Sequence, residues 1–74
     1  MIPVYYIELH PVNKLYLSGY HHGEICSTSN IDAALLFSTY DKAQKELAYI
    51  VNNNTNKDYY ISIVEMYLSS YDQL

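Results

Sequence analysis

The chain has 74 residues, a formal net charge of −4, four lysines and no arginine. This length predicts one domain, residues 1-74, and a chain this short buries only about 60% of the surface it exposes when unfolded. The lysines do not form a run, so the clustered cations of a nucleic-acid-binding surface are missing. The single cysteine, Cys26, excludes an internal disulfide and indicates a reducing compartment.

The sequence also predicts a cytoplasmic location in a bacterial host cell. No apolar run approaches the roughly 18 residues of a membrane-spanning helix, and the N-terminus lacks the charged region and apolar core of a signal peptide. Tyr, Asn and Ile are abundant while Arg is absent, which indicates an AT-rich coding sequence. We therefore expect the source to be a low-GC bacterium, or a phage or mobile element of one.

A β-hairpin is predicted over residues 4–20. Residues 4–9 and 14–20 are rich in β-branched and aromatic side chains, as strands are. Between them Pro11 presets φ for a turn, and Asn13 can take a positive φ at its exit.

The next two segments have weaker signals. Residues 21–24 are predicted to form a loop, and residues 25–28 fit either a short strand or an irregular edge. Asn30 or Asp32 could cap a short helical turn, after which Leu36 or Phe37 would enter the core.

A helix is predicted over residues 39–51. Thr39 (or Ser38) is the expected N-cap, and Asp41 lies in the first turn, where the helix dipole favours a negative charge. One apolar face follows the helical period and is made by Ala43, Leu47, Ile50 and Val51. Three asparagines, residues 52–54, can end the helix in a left-handed conformation.

The last predicted element is a strand over residues 59–68, followed by a polar tail. The fold class is therefore α+β, a small ββαβ domain. A right-handed crossover through the helix and placement of the last strand beside the first give a three-stranded, mostly antiparallel sheet of order 2-1-3. One helix packs on one face of this sheet.

Strand alternation leaves a tyrosine-rich face opposite the helix. Because a monomer rarely leaves a large apolar patch in water, and because interfaces favour tyrosine, we expect this face to bind a partner. The expected contacts are Tyr6, Tyr16, Tyr20, Tyr60 and Glu8. The alternative is that cross-strand tyrosine pairs stabilise a solvated sheet.

The candidate chemistry is sparse, and we expect neither an enzyme, nor a metal site, nor a cofactor. His21, His22 and Cys26 form the one cluster that could hold a metal, but adjacent histidines point apart in an extended chain, and zinc needs three or four ligands. A Cys–His nucleophile pair would lack an orienting acid and an oxyanion hole. The two glycines, Gly19 and Gly23, do not form a phosphate-binding loop.

The hairpin from Tyr5 to Tyr20, followed by the Ala-Leu-Leu-Phe-Ser-Thr-Tyr-Asp-Lys-Ala segment at residues 34–43, resembles a layout of small phage proteins from low-GC Gram-positive hosts. The matched positions are core and capping residues, so the resemblance implies the fold. Such proteins are similar in size and acidity to phage-encoded inhibitors of host defence, including anti-CRISPR proteins and sponges for signalling nucleotides.

Three functional hypotheses follow. The first is a non-enzymatic binding protein, phage-encoded, that occludes a host defence protein through its tyrosine-rich face and itself forms a homo-oligomer. The second is an oligomeric sponge for a small nucleotide signal, with His21, His22 and Lys14 as ligand-binding residues; Lys57 is the alternative to Lys14 as the contact to the phosphates. The third is a small structural or regulatory subunit. Neither nucleic acid nor a membrane is expected as a partner.

Overall fold

A computed structural model describes residues 1–10, 12–53 and 60–68. Within these ranges the fold is α+β, as predicted: one helix and one four-stranded antiparallel sheet. The strands are β1 (Ile2–His10), β2 (Leu15–His21), β3 (Glu24–Thr28) and β4 (Ser62–Leu68). A short 3-10 turn, Ile31–Ala33, precedes the helix α1, Tyr40–Asn53.

The sheet has the order β3-β2-β1-β4. The predicted neighbours are present, since β4 lies antiparallel to β1 as β2 does, but the predicted count of three strands is wrong. The additional strand is β3, which pairs with β2 through a two-residue turn. Both turn residues, His22 and Gly23, have positive φ, 51° and 81°, the combination that type I′ hairpin turns require.

The helix begins where its cap was predicted. The Thr39 hydroxyl oxygen accepts a hydrogen bond from the backbone N–H of Lys42 at 3.2 Å, and Asp41 lies in the first turn. Two other features differ from the prediction, one a strand boundary and one a backbone angle. Strand β4 begins at Ser62, so the first residues of the predicted 59–68 strand precede it, and Tyr59 lies outside the described residues together with the predicted tail. In the turn between β1 and β2, the residue with a positive φ is Lys14, at 54°, and not Asn13 as predicted.

The sheet has a hydrophobic core on each face. The core on the front face, which carries α1, is the less exposed to solvent of the two. The buried side chains here are Ile7, Leu9, Leu17 and Ile50, all at most 1% exposed. Within α1 itself, Ala43 is also buried and Leu47 is half-buried. Val51 was predicted on this apolar face but is 57% exposed, because it lies at the margin of the buried stripe.

The back face is covered, contrary to the prediction that it is open. Val4, Tyr6 and Tyr16 form a second buried cluster there. The cover is a short stretch of the chain, residues 31–36, which we call the covering segment. Its Ile31, Ala34 and Leu36 pack against that cluster, as do Ile2, Met66 and Leu68.

The covering segment reaches the front by passing between β1 and β2. These strands are registered only near their turn, at Glu8 with Tyr16 and at His10 with Leu15. Farther along, Leu35 donates its N–H to the Leu17 carbonyl at 2.9 Å, while Phe37 and Tyr5 exchange backbone hydrogen bonds of 2.8 and 2.9 Å. Leu35 and Phe37 pack into the front core, so this stretch links the two cores.

Candidate functional site

Three of the five predicted contact residues are core residues. Tyr6, Tyr16 and Glu8 are 6%, 9% and 8% exposed, and the two tyrosine rings pack edge to face with centroids 6.5 Å apart. Burial raises the pKa of Tyr6 above its usual value, with a smaller contribution from Asp32. The expectation that these three residues lie on an open face is wrong: all three are buried, and the covering segment packs over the cluster that contains the two tyrosines.

The other two predicted contacts, Tyr20 and Tyr60, are 40% and 70% exposed. Tyr20 does not share a surface with the buried pair. A β-bulge between Leu17 and Gly19 inserts one extra residue into β2, which reverses the alternation and turns Tyr20 to the front. Tyr60 packs edge to face against His10, with ring centroids 6.1 Å apart.

The predicted ligand-binding residues lie at opposite ends of β2. Lys14 precedes Leu15 in the first turn and pairs with the buried Glu8 carboxylate at 3.9 Å. His21 and His22 lie at the other turn, where the positive φ of His22 brings the two rings within 4.1 Å. Seven strand residues separate the two turns, about 20 Å at the usual rise. The structure therefore does not bring Lys14 and the histidines together.

A groove of about 500 Å³ runs between α1 and the β2–β3 turn; we call it the hairpin groove. Its lining residues are Tyr20, Gly23, Lys45, Glu46 and Tyr49. The Tyr20 hydroxyl donates to the Glu46 carboxylate, and its ring packs edge to face on Tyr49 with centroids 6.0 Å apart. Burial and the bond to Glu46 raise the pKa of Tyr20 well above its usual value, so this tyrosine stays protonated.

A second group of tyrosines lies on the other side of the helix. Its members are Tyr5, Tyr40, Glu65 and Tyr67, and we call it the tyrosine–glutamate cluster. The Tyr5 hydroxyl donates to Glu65 Oε2 at 3.0 Å, and the Tyr67 hydroxyl donates to Glu65 Oε1 at 3.1 Å. These bonds raise the pKa of both tyrosines. Tyr40, the first residue of α1, packs edge to face on Tyr5 with centroids 5.8 Å apart and an interplanar angle of 80°.

Sequence reasoning missed Tyr40 and Tyr49 because it considered tyrosines only on strands. A signal was present, since both fall among the polar residues of a helix whose apolar stripe is already filled by other side chains. The pairing of Glu65 with Tyr5 depends on the register of β1 against β4, which the sequence pattern left unspecified.

The described residues contain no group of three His, Cys, Asp or Glu side chains placed to hold a metal ion. In the same part of the chain, no helix has the length and apolar character that a membrane crossing requires. Cys26 is a half-buried free thiol on β3. Comparison of the chain with protein-family models, curated proteins and solved structures finds no match.

Proposed function

We propose that the protein is a non-enzymatic binding protein whose contact surface is the front of the molecule, on both sides of α1. One observation supports this most: of the eight tyrosines in the described ranges, five are at least 40% exposed, and four of those flank the helix. The four are Tyr20 and Tyr49 on one side and Tyr40 and Tyr67 on the other. Tyrosine offers large, rigid contact area with a polar tip, which is why interfaces are enriched in it.

The exposed rings are also held in place before any partner arrives. Tyr20 and Tyr67 each donate a hydroxyl to a glutamate, while Tyr40 and Tyr49 pack edge to face on neighbouring rings. Side chains that are already ordered lose less conformational entropy on binding, so more of the contact energy contributes to affinity. This favours a binding surface over a set of rings that are exposed by chance.

The partner that we propose is a host protein, most specifically a defence component occluded by a phage-encoded inhibitor. The support for that setting is the resemblance of residues 5–20 and 34–43 to small phage proteins, together with the acidity and small size of the chain. A small structural or regulatory subunit would use the same surface. The genes next to the coding sequence separate these two, because a permanent subunit is encoded with its complex and an inhibitor with phage genes.

Affinity capture from the producing host, followed by mass spectrometry, tests the proposed surface. The double variants Tyr40→Ser/Tyr67→Ser and Tyr20→Ser/Tyr49→Ser should each lose the partner that the wild-type protein captures. The control is Val12→Ser, at a position 84% exposed in the turn between β1 and β2. This variant should retain the partner. Retention of the partner by both tyrosine variants, with their circular dichroism unchanged, would overturn the proposal.

Self-association through the same surface is part of the proposal and has its own readout. Light scattering on the purified protein should give a mass that is a multiple of 8.6 kDa and that falls to 8.6 kDa in the tyrosine variants. A wild-type protein that remains at 8.6 kDa at high concentration would restrict the surface to a foreign partner.

The hairpin groove supports a second candidate function, the nucleotide sponge. Its volume of about 500 Å³ lies in the range of small-molecule sites, and its lining combines two tyrosine rings with Lys45 beside the His21–His22 turn. The cation here is Lys45 and not the predicted Lys14. A thermal-shift screen against cyclic and ADP-ribose-type nucleotides tests it. A rise of several degrees that Tyr49→Ser abolishes would favour the sponge, and a flat screen would exclude it.

A further inference from the structure

The tyrosine–glutamate cluster carries a negative charge that the described chain does not neutralise. The ion pairs in the described residues join Lys14 to Glu8 and Lys45 to Asp41, and neither involves Glu65. Glu65 is exposed, and its two nearest polar partners are neutral hydroxyl groups. The surface at this point therefore combines one uncompensated carboxylate with three aromatic rings.

The geometry of the cluster suits a flat cation. Tyr5 and Tyr67 each donate to a different carboxylate oxygen, which fixes the orientation of the carboxylate, and each oxygen can still accept a further hydrogen bond. The rings of Tyr5 and Tyr40 pack edge to face, almost perpendicular to one another at 80°. Tyr40 and Tyr67 are 53% and 54% exposed, which leaves both rings accessible.

We propose that this cluster binds the guanidinium group of an arginine in a basic segment of a partner protein. This inference rests on the proposed function and adds to it the chemistry of the partner segment. A guanidinium is planar, binds a carboxylate with two parallel hydrogen bonds and stacks on aromatic faces, whereas an ammonium is more strongly hydrated and lacks the fork.

The composition of the chain identifies the source of that arginine. Residues 1–74 contain no arginine, so neither the parts of this chain outside the described ranges nor a second copy of it can supply a guanidinium. The net charge of −4 favours the approach of a basic segment from a different protein.

Two other charges near the helix bear on this assignment. The positive end of the α1 dipole lies next to Tyr40, but Asp41 and the Thr39 cap offset it within the first turn. On the other side of the helix, Glu46 shares the hairpin groove with Lys45, whose positive charge disfavours a second cation. The cluster around Glu65 is therefore the better receptor for arginine.

A peptide titration tests the proposal directly. A short Gly/Ser peptide carrying three arginines is titrated into the full-length protein at low salt and followed by calorimetry and amide NMR, beside peptides with citrulline or lysine at the same positions. The arginine peptide should bind with shifts centred on Glu65 and Tyr67, the lysine peptide more weakly, and the citrulline peptide, which has the shape without the charge, not at all. Equal binding of the citrulline peptide, or no binding of the arginine peptide, would overturn the proposal.

A pair of charge variants locates the site. Glu65→Gln should weaken binding of the arginine peptide about tenfold, since a hydrogen bond to a charged group is lost. Glu24→Gln removes the same charge from an exposed position in β3 and should change binding by less than about twofold, as expected of a distant exposed charge. Tyr67→Phe, which keeps the ring, should weaken binding less than Glu65→Gln. Equal effects of the two glutamate variants would show a non-specific charge attraction and overturn the site.

The capture experiment then separates failure of this inference from failure of the proposed function. Loss of the captured partner from Glu65→Gln as well as from Tyr40→Ser/Tyr67→Ser supports both. If Glu65→Gln keeps the partner and the tyrosine double variant loses it, the arginine site is wrong and the binding surface stands. If every front variant keeps the partner, the proposed binding surface is wrong. The arginine site is then also wrong as a contact to that partner.

Discussion

The front and back of the sheet are both covered, but by very different structures. A 14-residue helix lies over the front, where four aliphatic core side chains are at most 1% exposed. Over the back lies a covering segment of six residues containing a three-residue 3-10 turn, and the tyrosines beneath it remain 6% and 9% exposed. The back core is thus thinner, and part of its enclosure depends on the half-buried Ile31 and Leu36.

The same contrast explains why tyrosine is used in two ways. On the back, the rings of Tyr6 and Tyr16 fill a core and contact only this chain. On the front, tyrosines lie beside the helix because one helix is too narrow to cover a four-stranded sheet, and their hydroxyls bond to Glu46 and Glu65. This is why we propose the side that carries the helix as the partner surface.

The largest expected effect is on the back core. Tyr16→Ser should lower the free energy of unfolding by about 3 kcal/mol or more, because it removes a buried aromatic ring and leaves a cavity. Tyr60→Ser, at a position 70% exposed, should change it by less than about 0.5 kcal/mol. Urea denaturation followed by circular dichroism measures both. Similar small effects for the two variants would mean that the back face is open.

A smaller loss in the free energy of unfolding is expected when a side chain of the covering segment is shortened. Leu36→Ala should cost about 1–2 kcal/mol, since the half-buried side chain loses contact with Val4, Tyr6 and Tyr16. Amides of the covering segment should exchange hydrogen faster in this variant, while those of α1 keep their protection. Uniform acceleration over the whole chain would show that the two covers do not open separately.

A third stability effect is expected on the front of the molecule, at the N-cap of α1. Thr39→Ala should lower the free energy of unfolding by about 1 kcal/mol, because the N–H of Lys42 loses its acceptor. Ser38→Ala is the matched control, since its hydroxyl accepts only from the exposed Lys42 ammonium, at 3.4 Å, and should cost less than about 0.5 kcal/mol. If the two variants were equal in thermal denaturation, the assigned cap would be wrong.

High pH should reduce the stability that the Tyr20–Glu46 hydrogen bond provides, because Tyr20 ionises at a lower pH in the unfolded chain than in the folded protein. The pKa of Tyr20 is raised by burial and by its bond to Glu46, so its contribution to stability is fully present below the ordinary tyrosine pKa of 10.0 and is lost as pH rises above it. Wild-type stability should therefore fall more steeply above pH 10 than that of Tyr20→Phe, with parallel curves below pH 9. Urea midpoints across this range give the comparison, and parallel curves throughout would refute it.

The helix and its cap could be predicted because a 3.6-residue period and a hydroxyl at its start are both local signals. The β1–β2 hairpin and the placement of β4 followed from strand composition and connection rules. The back cover could not be predicted, since residues 31–36 are too short and irregular to show a period. The β-bulge at Gly19, where φ is 154°, could not be predicted either, because no residue around it in the sequence marks a bulge. This bulge nevertheless decides which face of the sheet Tyr20 occupies.

The most direct test of which tyrosines face solvent is the nitration rate of each one in the native protein, read by peptide mass spectrometry with and without the arginine peptide. We expect Tyr40, Tyr49, Tyr60 and Tyr67 to react faster than Tyr6 and Tyr16, which are buried. Tyr20 should react slowly despite its exposure, because its hydroxyl donates to Glu46 and its pKa is raised. Addition of the peptide should slow Tyr40 and Tyr67 alone. Fast nitration of Tyr16, at the rate of Tyr60, would contradict the covered back face, and unchanged rates at Tyr40 and Tyr67 under saturating peptide would contradict the front binding site.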